Sequence, residues 1–215
     1  ESWYPLRPDD NSKRKSLGFG SGFVVEAGGL IVTNQHVIED SRNIMVRFYD
    51  GSEYPAELLG ADPETDLALM KVKPKLRLEK VSLGDSDHLR VGDWVMAVGN
   101  PYNYEHSVTV GVVSAKDRKI DENPYESYVQ TDAAINFGNS GGPLFNASGE
   151  VVAITTEIST RGRNIGFAIP INRAKAIADA LIKDGHFYRP YLGINASEIT
   201  LRLARHAMQR IIRSY

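Results

Sequence analysis

Short apolar runs separated by turn residues set the pattern for most of this chain. Phe23-Val24-Val25 gives way to Ala27-Gly28-Gly29 and then to Leu30-Ile31-Val32. From Asn43 to Tyr49, Ile44, Val46 and Phe48 alternate with polar neighbours apart from Met45, and Asp50-Gly51 follows as a hairpin signal. The same pattern predicts strands at Glu53 to Leu59, Leu67 to Val72, Trp94 to Val98, Ser107 to Ser114, Ser127 to Gln130, Pro143 to Phe145, Val151 to Thr156 and Ile165 to Ile169. Many short strands at close spacing predict an all-β antiparallel barrel or sandwich.

Helical periodicity enters late. Ala174, Ile177, Ala178, Leu181 and Ile182 recur at helical spacing, with Asn172 as the expected N-cap and Gly185 as the stop, so a helix is expected over 172–184. Ser197 to Tyr215 repeats the pattern. Leu201, Ala204, Met208, Ile211 and Ile212 share a face and four arginines lie mostly elsewhere, a composition that also suits a membrane-surface helix. Glu1 to Ser16 reads as an arm outside the core, with Trp3 and Tyr4 as anchors. Gly, Asn and Pro interrupt the strands between Gly99 and Tyr104, which sets the expected lobes at about 17–99 and 105–171, followed by a tail over 187–215.

Composition narrows the functions. The 215 residues carry a formal net charge of -2, which gives no overall basic field for nucleic acid. There is no cysteine, so disulfides, thiolate metal sites and a cysteine nucleophile are excluded. No histidines pair at metal-ligand spacing, and no apolar run approaches the ~20 residues that span a bilayer.

Three segments carry chemistry. In Asn136-Phe137-Gly138-Asn139-Ser140-Gly141-Gly142-Pro143, glycines surround a serine, so several backbone N–H groups can converge near one alcohol. The N–H groups of Gly138 and Ser140, with Asn139 between them, would form an oxyanion hole. Alone, the segment also describes an ordinary Gly-rich turn. His36, in Thr33-Asn34-Gln35-His36-Val37-Ile38, stands at the end of an apolar strand, where an imidazole could take the serine proton. Asp66 stands at the entrance of another strand and could orient that imidazole, while Asp62 and Glu64 read as solvated turn carboxylates. His88, His106, His186 and His206 show no matching partner. The order His, Asp, Ser is that of the two-barrel serine proteases.

With these segments together the chain resembles the HtrA/Deg serine proteases. The matching stretches are Gly20-Ser21-Gly22-Phe23-Val24, the His36 and Asp66 segments, Gly99-Asn100-Pro101, Thr131-Asp132-Ala133-Ala134-Ile135-Asn136, Gly138 to Leu144 and Gly166-Phe167-Ala168-Ile169-Pro170. The resemblance implies a chymotrypsin-like double antiparallel β-barrel with a C-terminal helix after the second barrel. It implies an ATP-independent, metal-free and cofactor-free endopeptidase acting on unfolded proteins, in the periplasm or cell envelope, and a homotrimer formed through Trp3 and Tyr4. It implies that Thr156, Glu157 and Ile158 pair with the substrate backbone, that Thr156 supports Asp66, and that Ile135, Ile158 and Phe167 contribute to substrate binding, with a preference for small aliphatic residues. Phe137 stands where the family usually has proline. Tyr191-Leu192-Gly193-Ile194 resembles the start of a PDZ domain, but the chain ends at Tyr215, too soon for that fold. The alternative on the same scaffold is a silent or gated peptide-binding chaperone.

Overall fold

A computed structural model describes residues 20–100, 107–120, 125, 127–158, 164–189 and 193, with backbone alone at 157 and 158. The expected arm with Trp3 and Tyr4, His106, His206, the Tyr191 segment apart from Gly193, and the helical tail lie outside the described residues.

The first sheet contains β1 (Phe23–Glu26), β2 (Leu30–Thr33), β3 (Ile44–Arg47), β4 (Glu53–Asp62) and β5 (Leu67–Val72), in the order β1-β2-β5-β4-β3 and antiparallel throughout. It forms a half-barrel. β5 is central and accordingly reads as an almost unbroken apolar run, buried at every position but Lys71. β3 lies at an edge and alternates half-buried with exposed residues. At the turn between β3 and β4, the Asp50 side chain accepts from the N–H and hydroxyl of Ser52, which locks the Asp50-Gly51 hairpin.

The second sheet contains β6 (Ser82–Leu83), β7 (Trp94–Gly99), β8 (Ser107–Arg118), β9 (Tyr128–Thr131), β10 (Pro143–Asn146), β11 (Glu150–Ile158) and β12 (Gly166–Pro170). Six of these strands run β10-β7-β8-β9-β12-β11, and β11 pairs back with β10 to close a barrel. β6 adds to β11 outside the ring, in the one parallel pairing among the described strands.

The change of sheet falls between Val72 and Ser82, well before the expected boundary near Gly99. Gly99 pairs with Ser107, so the strands on either side of the Gly-Asn-Pro interruption, β7 and β8, belong to the same sheet. β6 escapes the periodicity argument because two residues show no period.

Helix α2 (Ile171–Asp184) packs against β4, β11 and β12 and buries Ile171, Ala174, Ile177 and Leu181. Their cluster joins Phe23, Val32, Leu67 and Leu69 of the first lobe to Val151, Ile154 and Ile169 of the second. Each fully buried Leu or Ile contributes about 1.5–3 kcal/mol, so the helix bonds the lobes together. Gly185 ends it in the left-handed region, as expected. The N-cap differs: Pro170 takes that position. Asn172 lies inside the first turn, where its N–H donates to Ser86 Oγ and its side-chain amide to Asp85.

Candidate active site

His36 does not project from the strand end itself. β2 stops at Thr33, and His36 sits in the single helical turn α1 (Gln35–Ile38). Two bonds orient it against Asp66: its backbone N–H donates to Oδ1 at 2.9 Å, and its Nδ1 lies 2.7 Å from Oδ2. Asp66 follows a 3₁₀ turn, Pro63–Thr65, and adopts a left-handed conformation with φ of 55° immediately before β5. Its carbonyl accepts from Gln35 N–H and from the Asn34 side chain, so the strained residue is held from both ends.

Thr156 links this pair to the other lobe. Its Oγ1 donates to Asp66 Oδ2 at 2.6 Å, and its carbonyl oxygen accepts from Ser140 Oγ at 3.0 Å. His36, Asp66, Thr156 and Ser140 therefore belong to one connected hydrogen-bond network across the seam of the lobes.

The loop before Ser140 is a tight turn. Asn139 N–H donates to Asn136 O at 3.0 Å, and Gly138 has φ of 99° at the third position, the signature of a type II turn. Phe137 occupies the second position and is exposed. Among the described residues, no backbone oxygen accepts from the N–H of Gly138 or Ser140. Asn139 differs from its two neighbours. Its N–H closes the turn, its side chain is buried, and its Nδ2 donates to Ala134 O. Gly141, with φ of 84°, passes so close to the first lobe that a Cβ there would lie 2.3 Å from both Ser21 O and Thr33 Oγ1.

Ser21 is a residue that sequence reasoning quoted in a motif without giving it a task. Its N–H donates to Ser140 O at 2.8 Å, its hydroxyl donates to Gly138 O at 2.6 Å, and that hydroxyl accepts from Asn100 N–H at 2.9 Å. Its own carbonyl accepts from Thr33 Oγ1 at 2.7 Å. One small residue of the first lobe thus holds the peptide groups on both sides of Asn139 and Ser140, one through its hydroxyl and the other through its backbone N–H. Placement beside the Gly20 and Gly22 flanks was the available signal, but only the tertiary fold shows the target.

Ile135 and Phe167 are both buried near the site. A Cβ on Gly166 would lie 2.5 Å from Ile135 Cγ1, so the two positions are in close contact. Phe167 packs tilted against Tyr128 at 6.1 Å. Glu157 and Ile158 continue β11 past a register shift after Thr155. Pairing with β10 ends at Ile154 and Thr155 still exchanges backbone bonds with Gly141 and Gly142, so beyond Thr155 this edge of β11 is open among the described residues.

Two expectations for the surrounding charges are overturned. Asp62 is not solvated: it is buried and makes a bidentate ion pair with Arg189, with Nη1 donating to Oδ1 at 2.6 Å and Nη2 donating to Oδ2. Thr65 also donates to it. Burial alone would raise its pKa, but the bonds from Arg189 and Thr65 and the guanidinium charge outweigh this and hold the carboxyl below the ordinary value. Glu64 is exposed as expected. His88 does have a partner, Asp85 at 2.8 Å, on the open surface.

A half-barrel and a closed antiparallel barrel, with His36 and Asp66 on one lobe and Ser140 on the other, have the organisation of the trypsin-like serine peptidases. The family described as "Trypsin-like peptidase domain" matches residues 20–154. A "Probable periplasmic serine endoprotease DegP-like" of Pseudomonas putida is 47% identical over 203 residues, covering 93% of this chain and 42% of that protein. A protein of the same description from Rhizobium meliloti is 49% identical over 208 residues, covering 95% and 41%. The chain thus spans about two-fifths of the length of these relatives. The solved structure "HtrA-type protease AlgW with tripeptide" superposes with a TM-score of 0.81 at 42% identity, over 87% of this chain and 63% of that one. The chain belongs to the trypsin-like peptidase family, as an HtrA/DegP-like serine protease domain.

Proposed function

We propose that this chain is an endopeptidase that cuts unfolded polypeptides in the periplasm or cell envelope through an acyl-enzyme on Ser140. The observation that carries the reading is the bonded route from His36 through Asp66 and Thr156 to Ser140. Asp66 keeps the Nδ1 proton of His36 in place, which leaves Nε2 as the base. Ser140 Oγ gives up its bond to the Thr156 carbonyl, transfers its proton to Nε2 and attacks the scissile carbonyl. The developing oxyanion meets the Gly138 and Ser140 N–H groups. His36 then gives its proton to the leaving amine, and water, deprotonated by His36, frees the acyl group.

The open edge of β11 at Thr156, Glu157 and Ile158 receives the substrate as an added strand. The close approach of Ile135 to Gly166 favours a small aliphatic residue before the cut. Relatives named periplasmic support the compartment, and a related structure described with a tripeptide supports a peptide ligand.

Fluorophosphonate labelling and casein cleavage test the reading together. The parent chain labels and cuts, and Ser140→Ala does neither, with turnover down on the order of 10⁴-fold or more. Cleavage falls as acid protonates the imidazole, because imidazolium cannot accept the serine proton. The bond from Ser140 Oγ to the Thr156 carbonyl favours a second reading, a gated peptide-binding chaperone. A parent chain that binds unfolded casein yet takes no label supports that reading instead.

A further inference from the structure

Lys71, Lys73, Lys75, Arg77 and Lys80 place five cations in one short segment of a chain whose formal net charge is -2. The fold does not disperse them. All five line one cleft of about 760 Å³, whose facing wall is the turn from Glu26 to Gly28. A Cβ on Gly28 would lie 3.5 Å from Lys71 Nζ, which puts that ammonium over the turn. Among the described residues none of the five is in an ion pair, whereas Arg90 and Arg189 are.

The walls are built into the fold. Val72 N–H donates to Gly29 O at 2.9 Å, Leu78 N–H to Ala27 O at 3.1 Å and Val81 N–H to Val24 O at 3.0 Å. Leu78 packs on the core of the first lobe. Like charges gathered on a pinned loop repel one another, and Glu26 is the one acid among the residues lining the cleft. Their value lies in what they attract.

We propose that this cleft binds an acidic segment of polypeptide. Lys71, Lys73, Lys75 and Arg77 recur at every second position, and Leu76 between two of them is 81% exposed. The segment leaves β5 after Val72 and bends at Lys75 and Leu76, so its cations converge on the cleft, while carboxylates at alternate positions of an extended peptide repeat at about 6.6 Å and several can enter it together; Leu76, Pro74 and the lysine methylenes offer apolar contact to its backbone. The cleft is separate from the catalytic seam. Asp66 precedes β5 and Lys71 lies toward its other end, roughly 17 Å away along the strand. An acidic tract held here would tether a substrate while another stretch enters the seam. Only that consequence rests on the endopeptidase reading; the binding does not.

Binding is measured by fluorescence anisotropy with the full chain carrying Ser140→Ala, using a labelled peptide of alternating glutamate and alanine and a matched glutamine peptide. The glutamate peptide binds at low salt, and affinity drops at least about tenfold in high salt and in the triple variant Lys73→Glu, Lys75→Glu, Arg77→Glu. Equal binding of the glutamine peptide, or undiminished binding by the triple variant, overturns the proposal. So does an absence of peptide binding, and binding to phosphatidylglycerol vesicles in its place would assign the cleft to lipid. These three side chains are exposed, so melting temperature and hydrolysis of a short neutral peptide stay at parent values. In the catalytically intact chain, the triple variant raises KM for a substrate bearing the acidic tract and leaves kcat unchanged. If the binding results hold while no form of the chain cleaves anything, it is the catalytic reading that fails.

Discussion

At the scale of single residues, reactivity depends on peptide groups being held still, and Ser21 does much of the holding. Ser21→Ala removes the bonds to Gly138 O and from Asn100 N–H but leaves its backbone bond to Ser140 O. Two neutral hydrogen bonds are worth about 1–3 kcal/mol together. The expected outcome is a roughly tenfold fall in kcat and in the rate of phosphonate labelling, with KM little changed. Ser21→Thr keeps the hydroxyl and recovers part of the loss, which a purely steric account does not foresee. Phe137 offers the opposite test. It occupies the second position of a type II turn, where proline is favoured because its φ is already set. Phe137→Pro raises stability by about 0.4–1 kcal/mol through the unfolded chain and increases kcat/KM, as read by thermal melts and peptide hydrolysis. The grouping of His36, Asp66 and Ser140 in one hydrogen-bond network was legible because residue types and chain order singled the three out together. The task of Ser21 was not, because a serine between glycines looks the same whether it merely turns the chain or clamps a loop more than a hundred positions away.

At the scale of elements, period and punctuation were reliable where an element is long or central. Leu67 to Val72 was legible to the residue, and the Gly185 stop held because a left-handed residue ends a helix wherever it packs. The Asn172 cap failed because its side chain had a better partner in Asp85, 87 positions distant. Asp62 failed for the same kind of reason: its partner Arg189 lies 127 positions on, beyond the helix. That pair joins the segment after α2 to the turn that presents Asp66. Removing one member leaves the other charge buried, at a cost of about 3–5 kcal/mol, so Arg189→Ala lowers the melting temperature far more than a surface arginine such as Arg77→Ala. The pH dependence has a definite sign. With its pKa depressed in the folded state, Asp62 contributes stability that is fully present above the ordinary carboxylate range and is lost as pH falls through the depressed value. Acid melting curves of the parent chain therefore steepen below about pH 4, and Asp62→Asn, less stable at neutral pH, lacks that component.

At the scale of the whole molecule, the two lobes differ in how their edges are managed. The six-strand ring leaves an edge only where β11 overhangs past Thr155, whereas the first sheet ends on β1 and β3. The segment through Leu78 and Val81 covers β1, and β3 is left beside solvent with Met45 56% exposed. Amide exchange should report this as protection at least about tenfold weaker over Ile44–Arg47 than over Tyr128–Thr131, which is paired on both sides. Strand number and spacing pointed to an antiparallel barrel or sandwich, and the double barrel followed only from the family resemblance. The sheet membership of β7 was not legible, since an apolar run does not say which neighbour it will pair with. The register shift after Thr155 has the longest reach. Thr156, at that irregularity, anchors the carboxylate of one lobe and restrains the alcohol of the other, and its own strand continues into the rim where a guest chain would lie. Latch and doorstep are the same link, so a guest laid along that rim would tug on the one residue that ties the alcohol to the carboxylate.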